Sequence, residues 1–252
     1  MDNGSEAVSQ AVERWLLDEP AVMSVWRRTG RTLRDLWLTA WRGRPEKLYT
    51  KRTLRLIASG KLRETLGLEV HDEALTRSKS ERWLAQLIAL GLRPNHLCVE
   101  YGCGSLWCAE PFIRHLQPGR FIGFDVTDEF YAFGRQRLGA LLDEKQVRLA
   151  VISRRSLNEV AAMNPDFVFS HRVLHHVPPH GLARYMRKIF ALLGERTVLV
   201  IENMPRSRRG SQLLAARYGL DDIQPHLPKD WTCQVYPFGF VIRNRSAGRS
   251  PL

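Results

Sequence analysis

From residue 97 onward, short apolar runs alternate with amphipathic stretches. Leu97–Tyr101, Arg120–Asp125, Val147–Ile152, Asp166–Ser170 and Thr197–Glu202 are mostly apolar, short and bounded by polar or turn residues, as buried strands are. The spacing between them predicts helices over Leu106–Leu116, Asp128–Leu142 and Ser156–Met163, and another opened by Pro178-Pro179 and running to Leu193. In the first of these, Pro111 is tolerated only in the opening turn. Strand alternating with helix predicts an α/β fold whose mostly parallel sheet is covered on both faces. After a further helix near Ser211–Tyr218, Trp231–Tyr236 and Phe238–Arg243 read as two strands joined across Pro237, an antiparallel edge.

The first third reads differently. Val8, Val12, Trp15 and Leu16 share a face, and Asp18-Glu19-Pro20 breaks the pattern. From Val22 the stripe runs Val22, Trp26, Thr29, Leu33, Leu36 and Ala40, widened by Val25, Trp37 and Trp41, with Arg27, Arg28, Arg31 and Arg34 outside it. That is an amphipathic basic helix, weakened by Gly30 and ended by Gly43 and Pro45. Residues 46–70 form a second basic helical stretch, and Ser78 or Ser80 caps a helix over Glu81–Leu90. The expected division is a helical basic extension over 1–75, an α/β domain over 76–243 and a flexible tail over 244–252.

Charge and cysteine usage narrow the setting. The net charge is +12 over 252 residues, and twelve Lys/Arg fall between Arg27 and Arg63 against Asp35 and Glu46 alone. Such a surface attracts anions: nucleic acid, an anionic membrane surface, or an acidic small molecule. The bland alternative is that the tryptophan stripe packs on the domain and the arginines are merely solvated. No run has the length of a membrane span and the polar N-terminus is not a secretory signal. Cys98, Cys103, Cys108 and Cys233 lack C-x-x-C spacing, which points to free thiols and a cytoplasmic location.

The chemistry gathers at Val99-Glu100-Tyr101-Gly102-Cys103-Gly104-Ser105-Leu106, a strand, an acid and a Gly-x-Gly turn leading to a helix. Such a turn lets a ligand approach bare backbone. With Asp125 closing the second strand and Asp166-Phe167-Val168-Phe169-Ser170-His171 the fourth, the segment resembles the class I S-adenosylmethionine-dependent methyltransferases over roughly Leu75 to Arg243. Leu106 stands where that family has a third glycine, and Trp107 argues against a dinucleotide G-x-G-x-x-G motif. The resemblance implies a Rossmann-like doubly wound sheet of seven strands and S-adenosylmethionine as cofactor. It implies that Gly102 and Gly104 approach the methionyl part, Glu100 lies near it, and Asp125, with Val126 beside it, holds the ribose.

Ser153 and Ser170 complete the expected cofactor contacts, Ser153 near adenine, where the family's usual acid is missing. The alternative for Asp125 is a helix N-cap. His171 is the first candidate beside the reacting methyl and His176 the second, because imidazole titrates near neutrality. The alternative for the histidine pair is packing on the next helix. A metal site is not expected, because Pro178 and Pro179 break the helix that His171, His175, His176 and His180 would need. No nucleic-acid-base amino-methylation tetrapeptide follows the fourth strand. The expected activity is therefore methyl transfer to an O or N atom of a small molecule, a metabolite or glycan. The alternatives are an RNA methyltransferase that uses the basic extension and a non-catalytic binding protein.

Overall fold

In the computed structural model of the chain, the described residues are Thr50, Leu54, 73–203 and 218–246. The amphipathic helices expected before residue 50, most of 46–70, the helix near Ser211–Tyr218 apart from Tyr218 itself, and the tail beyond Ser246 lie outside them. Thr50 and Leu54 are helical, and Tyr218 is not.

The elements run α1 (Glu73–Ala89), β1 (Cys98–Tyr101), α2 (Ala109–His115), β2 (Phe121–Asp125), α3 (Asp128–Glu144), β3 (Arg148–Val151), α4 (Arg154–Ala161), β4 (Phe167–Ser170), α5 (Leu182–Phe190), β5 (Val198–Glu202), α6 (Leu220–Ile223), β6 (Trp231–Tyr236) and β7 (Gly239–Asn244). The strands form one sheet in the order β3-β2-β1-β4-β5-β7-β6. β1 to β5 are parallel, and β7 is antiparallel to both β5 and β6. The strand order reverses between β1 and β4, and a crevice opens at such a switch point beyond the carboxyl ends of the strands.

The pleat sorts side chains into two apolar layers. Val99, Tyr101, Val168 and Ile201 face a layer with α4 and α5, through Leu157, Val160, Leu182, Tyr185 and Met186. Cys98, Phe167, Phe169 and Val200 face the other, with Trp83 and Leu87 of α1, Phe112 and Ile113 of α2, and Leu138 and Leu142 of α3. In that second layer Phe112 stacks on Phe169 with ring centroids 4.6 Å apart. Burial on both sides explains why the central strands β1, β2 and β4 read as continuous apolar runs.

Several boundaries differ from the sequence expectation. The helix after β1 starts at Ala109, not Leu106, because Leu106 is left-handed at φ 61° and cannot begin a helix. α1 begins at Glu73, so Ser78 and Ser80 lie inside it and cap nothing. α4 begins at Arg154, with Ser153 as its cap. Before α5, Pro179–Gly181 form a separate 3₁₀ turn, and α5 itself ends at Phe190. β7 continues through Asn244, the first residue assigned to the tail.

Candidate functional site

At the β1–β2 side of the switch point, Glu100 pairs across the sheet with Gly123, two residues before Asp125. Strand alternation therefore puts both carboxylates on one face. Each is almost wholly buried. Burial, then the neighbouring Asp125 charge, pushes the Glu100 pKa well up, and its Oε2 has no hydrogen-bond partner. Asp125 accepts from Gly104 N–H through Oδ2 and from Val126 N–H through Oδ1, both at 2.7 Å. Burial raises its pKa to about 6 against the pull of those two donors. Asp125 is not a helix cap, since α3 is preceded at its N-cap by Thr127.

The connecting loop is left-handed at every second residue: Gly102 (φ 90°), Gly104 (φ 51°) and Leu106 (φ 61°). The two glycines do different work. A Cβ on Gly102 would lie 2.3 Å from Val173 Cγ2, so Gly102 is bare because another loop packs on it. A Cβ on Gly104 would meet nothing within 4 Å, so Gly104 borders open space. The loop amides are less free than the sequence suggested. Gly102 and Cys103 N–H both donate to Phe124 O at 2.8 Å, and Leu106 N–H donates to Cys103 O.

The β4–β5 side is assembled from side chains of distant segments. His171 follows Phe169 on the same face, with its ring centroid 5.3 Å from Trp83 of α1, which also packs edge-on to Phe238. His171 Nε2 lies 3.5 Å from Glu202 Oε2 at the tip of β5. That same oxygen accepts Arg172 N–H at 2.7 Å, holding Arg172 left-handed at φ 56°. Burial, then Arg172 and His175, lowers the His171 pKa to about 3, and burial with Arg172 lowers that of His175 to about 4. His176 reaches the surface, and its ring packs on His175 with centroids 3.9 Å apart. Its pKa is also lowered, by desolvation of the packed ring, His175 and Arg172. All three are neutral imidazoles at pH 7. Burial raises the Glu202 pKa, while the Arg172 N–H and charge pull it down.

The structure thus brings Glu100, Gly104, Asp125 and Val126 to one side and His171 and Glu202 to the other. Two expected contacts have their hydroxyls engaged in other bonds. Ser170 is fully buried on the opposite pleat and its hydroxyl donates to Tyr101 O at 2.9 Å. Ser153 is an exposed helix cap, accepting Ser156 N–H at 3.1 Å in a capping box. Glu202, the acid closing β5, was expected to share one crevice with Glu100, Asp125 and His171, whereas Trp83 and Arg172 were absent from the expected set. Trp83 looked like any apolar helix position.

Residues 99–199 match the family model for a methyltransferase domain. Over that stretch, under half of its length, the chain is similar to S-adenosylmethionine-dependent methyltransferases. Among solved structures, the magnesium protoporphyrin IX methyltransferase of Synechocystis PCC 6803 with bound SAH is similar in fold, with a TM-score of 0.50 and 16% identity, over 67% of this chain and 83% of that one. The methyltransferase domain of bacterial CtHen1-C has a TM-score of 0.49 and 13% identity, over 68% and 98%. A SAM-dependent methyltransferase from Anabaena variabilis has 0.48 and 15%, over 64% and 82%. No curated protein matches the chain in sequence. The methyltransferase model covers the loop, both carboxylates and the histidines, and stops within β5 before Glu202.

Proposed function

We propose that this methyltransferase transfers a methyl group from S-adenosylmethionine to an O or N atom of a small-molecule acceptor, with the cofactor at the β1–β2 side and the acceptor at the β4–β5 side. The observation that carries this reading is the orphaned Oε2 of Glu100, buried beside Asp125, whose carboxylate in turn accepts from the N–H of Gly104, the residue that borders open space. Two adjacent buried carboxylates are costly alone and are relieved by a cation. S-adenosylmethionine supplies a sulfonium-activated methyl and carries an ammonium as well. Glu100 takes the cationic end, and Gly104 leaves room for it. Asp125 has lone pairs left after Gly104 and Val126, enough to accept two ribose hydroxyls.

His171 and Glu202 orient the acceptor against the Trp83 and Phe238 rings and exclude water, which is most of what an in-line displacement needs. His171, with a pKa near 3, enters as a neutral hydrogen-bonding group rather than a strong base. His176 stands further out, in contact with His175. An aromatic wall beside two polar groups suits a small organic acceptor.

Isothermal calorimetry with S-adenosylmethionine tests the cofactor half. The wild-type chain is expected to bind at micromolar concentrations, and Asp125→Ala to weaken binding about a hundredfold, roughly 2.7 kcal/mol. Equal heats from both proteins would overturn the assignment. For the acceptor, labelled cofactor incubated with fractionated cell extract is expected to mark a small-molecule fraction. Label confined to RNA, with turnover falling steeply between 50 and 200 mM salt, would replace this reading with the nucleic-acid one.

A further inference from the structure

The loop bordering Gly104 contains a cost and a compensation that the motif alone does not explain. Leu106 is fully buried and left-handed, a conformation in which a side chain is strained. Directly against it lies Gly134 of α3. A Cβ there would come within 2.6 Å of Ser105 O and 2.7 Å of Leu106 Cβ and Cδ1. One turn further along α3, Arg137 reaches the same loop. Its Nη2 donates to Leu106 O at 3.3 Å, and its guanidinium lies 4.2 Å from the Trp107 ring centroid. Its Nη1 donates to Glu110 Oε2 at 2.6 Å. Arg114 takes the other oxygen of Glu110 at 2.9 Å. Burial raises the Glu110 pKa, but the Arg137 and Arg114 bonds outweigh it and keep the carboxylate ionised.

We infer that Arg137 is a positioning residue for the cofactor loop: with Gly134 it holds Leu106 in the left-handed state that a third glycine adopts without strain, and so keeps Gly104 facing its open space. This rests on the cofactor assignment above only for its functional consequence. A guanidinium bonds Leu106 O and Glu110 while stacking on Trp107, and a lysine ammonium cannot do all three. Arg114 binds the same carboxylate but has no hydrogen bond to Leu106 O, which makes it the matched control.

Two measurements test the inference. Amide hydrogen exchange on the ligand-free protein is expected to quicken at least tenfold at Leu106 and Trp107 in Arg137→Ala, less in Arg137→Lys, and not in Arg114→Ala. Leu106→Gly in the Arg137→Ala background is expected to recover cofactor affinity, because glycine takes this conformation freely. Titration with S-adenosylmethionine is expected to show Kd raised about tenfold in Arg137→Ala, with kcat at saturating cofactor within twofold of wild type. Unchanged exchange at Leu106 and Trp107 overturns the inference whatever the affinity does. Quickened exchange with unchanged Kd also overturns it, since the loop would then not need holding. If exchange quickens but the wild-type protein binds no cofactor, the clamp stands and the cofactor assignment falls.

Discussion

The two sides of the switch point are built in opposite ways. The β1–β2 side is mostly backbone: left-handed turns, two carboxylates and amides already bonded to Phe124 O and Asp125. Its chemistry sits within 26 consecutive residues, 100 to 125, so a short motif can carry it. The β4–β5 side is mostly side chains, gathered from Trp83, His171, Glu202 and Phe238. A site that binds one invariant cofactor can be written locally. A site that chooses an acceptor draws on separate elements that vary independently.

Substitutions sharpen this contrast, and the largest effect is expected at Gly102. Gly102→Ala forces a Cβ into Val173 and costs about 3–4 kcal/mol, the sum of overpacking and left-handed strain. Chemical denaturation should show that loss, with about half of it recovered by adding Val173→Ala. Gly104→Ala should cost only about 1 kcal/mol of stability while weakening S-adenosylmethionine binding, because its new methyl enters open space. Equal losses at the two glycines would erase the distinction between packing and ligand approach.

Stability against pH comes next. Asp125 ordinarily titrates at 3.8 and in the fold at about 6, so its contribution is full below pH 4 and is lost as pH rises through 6, about 3 kcal/mol in all. The histidine side has the reverse sign. His171 ordinarily titrates at 6.5 and in the fold near 3, so its contribution is full above pH 6.5 and is lost as pH falls toward 3. Denaturation of the ligand-free protein across pH 4–8 should show Asp125→Asn reducing the first slope, to which buried Glu100 also contributes, and His171→Gln reducing the second. A stability curve unaltered by both would contradict the burial of these groups.

Smaller effects separate acceptor handling from local structure. Glu202→Ala leaves Arg172 N–H without its acceptor and should lower kcat about tenfold, or 1.4 kcal/mol, with cofactor Kd within threefold. Ser153→Ala should cost about 1 kcal/mol through the lost cap and leave cofactor Kd unchanged. A Kd raised tenfold by Ser153→Ala would return Ser153 to the cofactor's neighbourhood.

The sequence made the sheet legible because β1, β4 and the middle of β5 are buried and so are apolar except for the polar residue near each carboxyl end. It made Glu100 and Asp125 legible because each is the acid at or next to the carboxyl end of its strand. Leu106 misled the helix boundary: leucine favours helix, and only contact with Gly134 explains its left-handed state. Ser170 misled for a related reason. Its position at a strand tip was readable, but which face its hydroxyl takes depends on register with β1 and β5. Trp83 and Arg137 act across more than 20 residues of chain, where periodicity carries no information.

Because a methyl of Val173 fills the hollow above Gly102, the strap after β4 cannot shift without pushing on the turn after β1. Occupancy of either half of the crevice is therefore expected to alter affinity in the other, and by thermodynamic reciprocity both affinities would change by one common factor. Trimming Val173 to alanine should cut that linkage and let donor and acceptor bind as strangers.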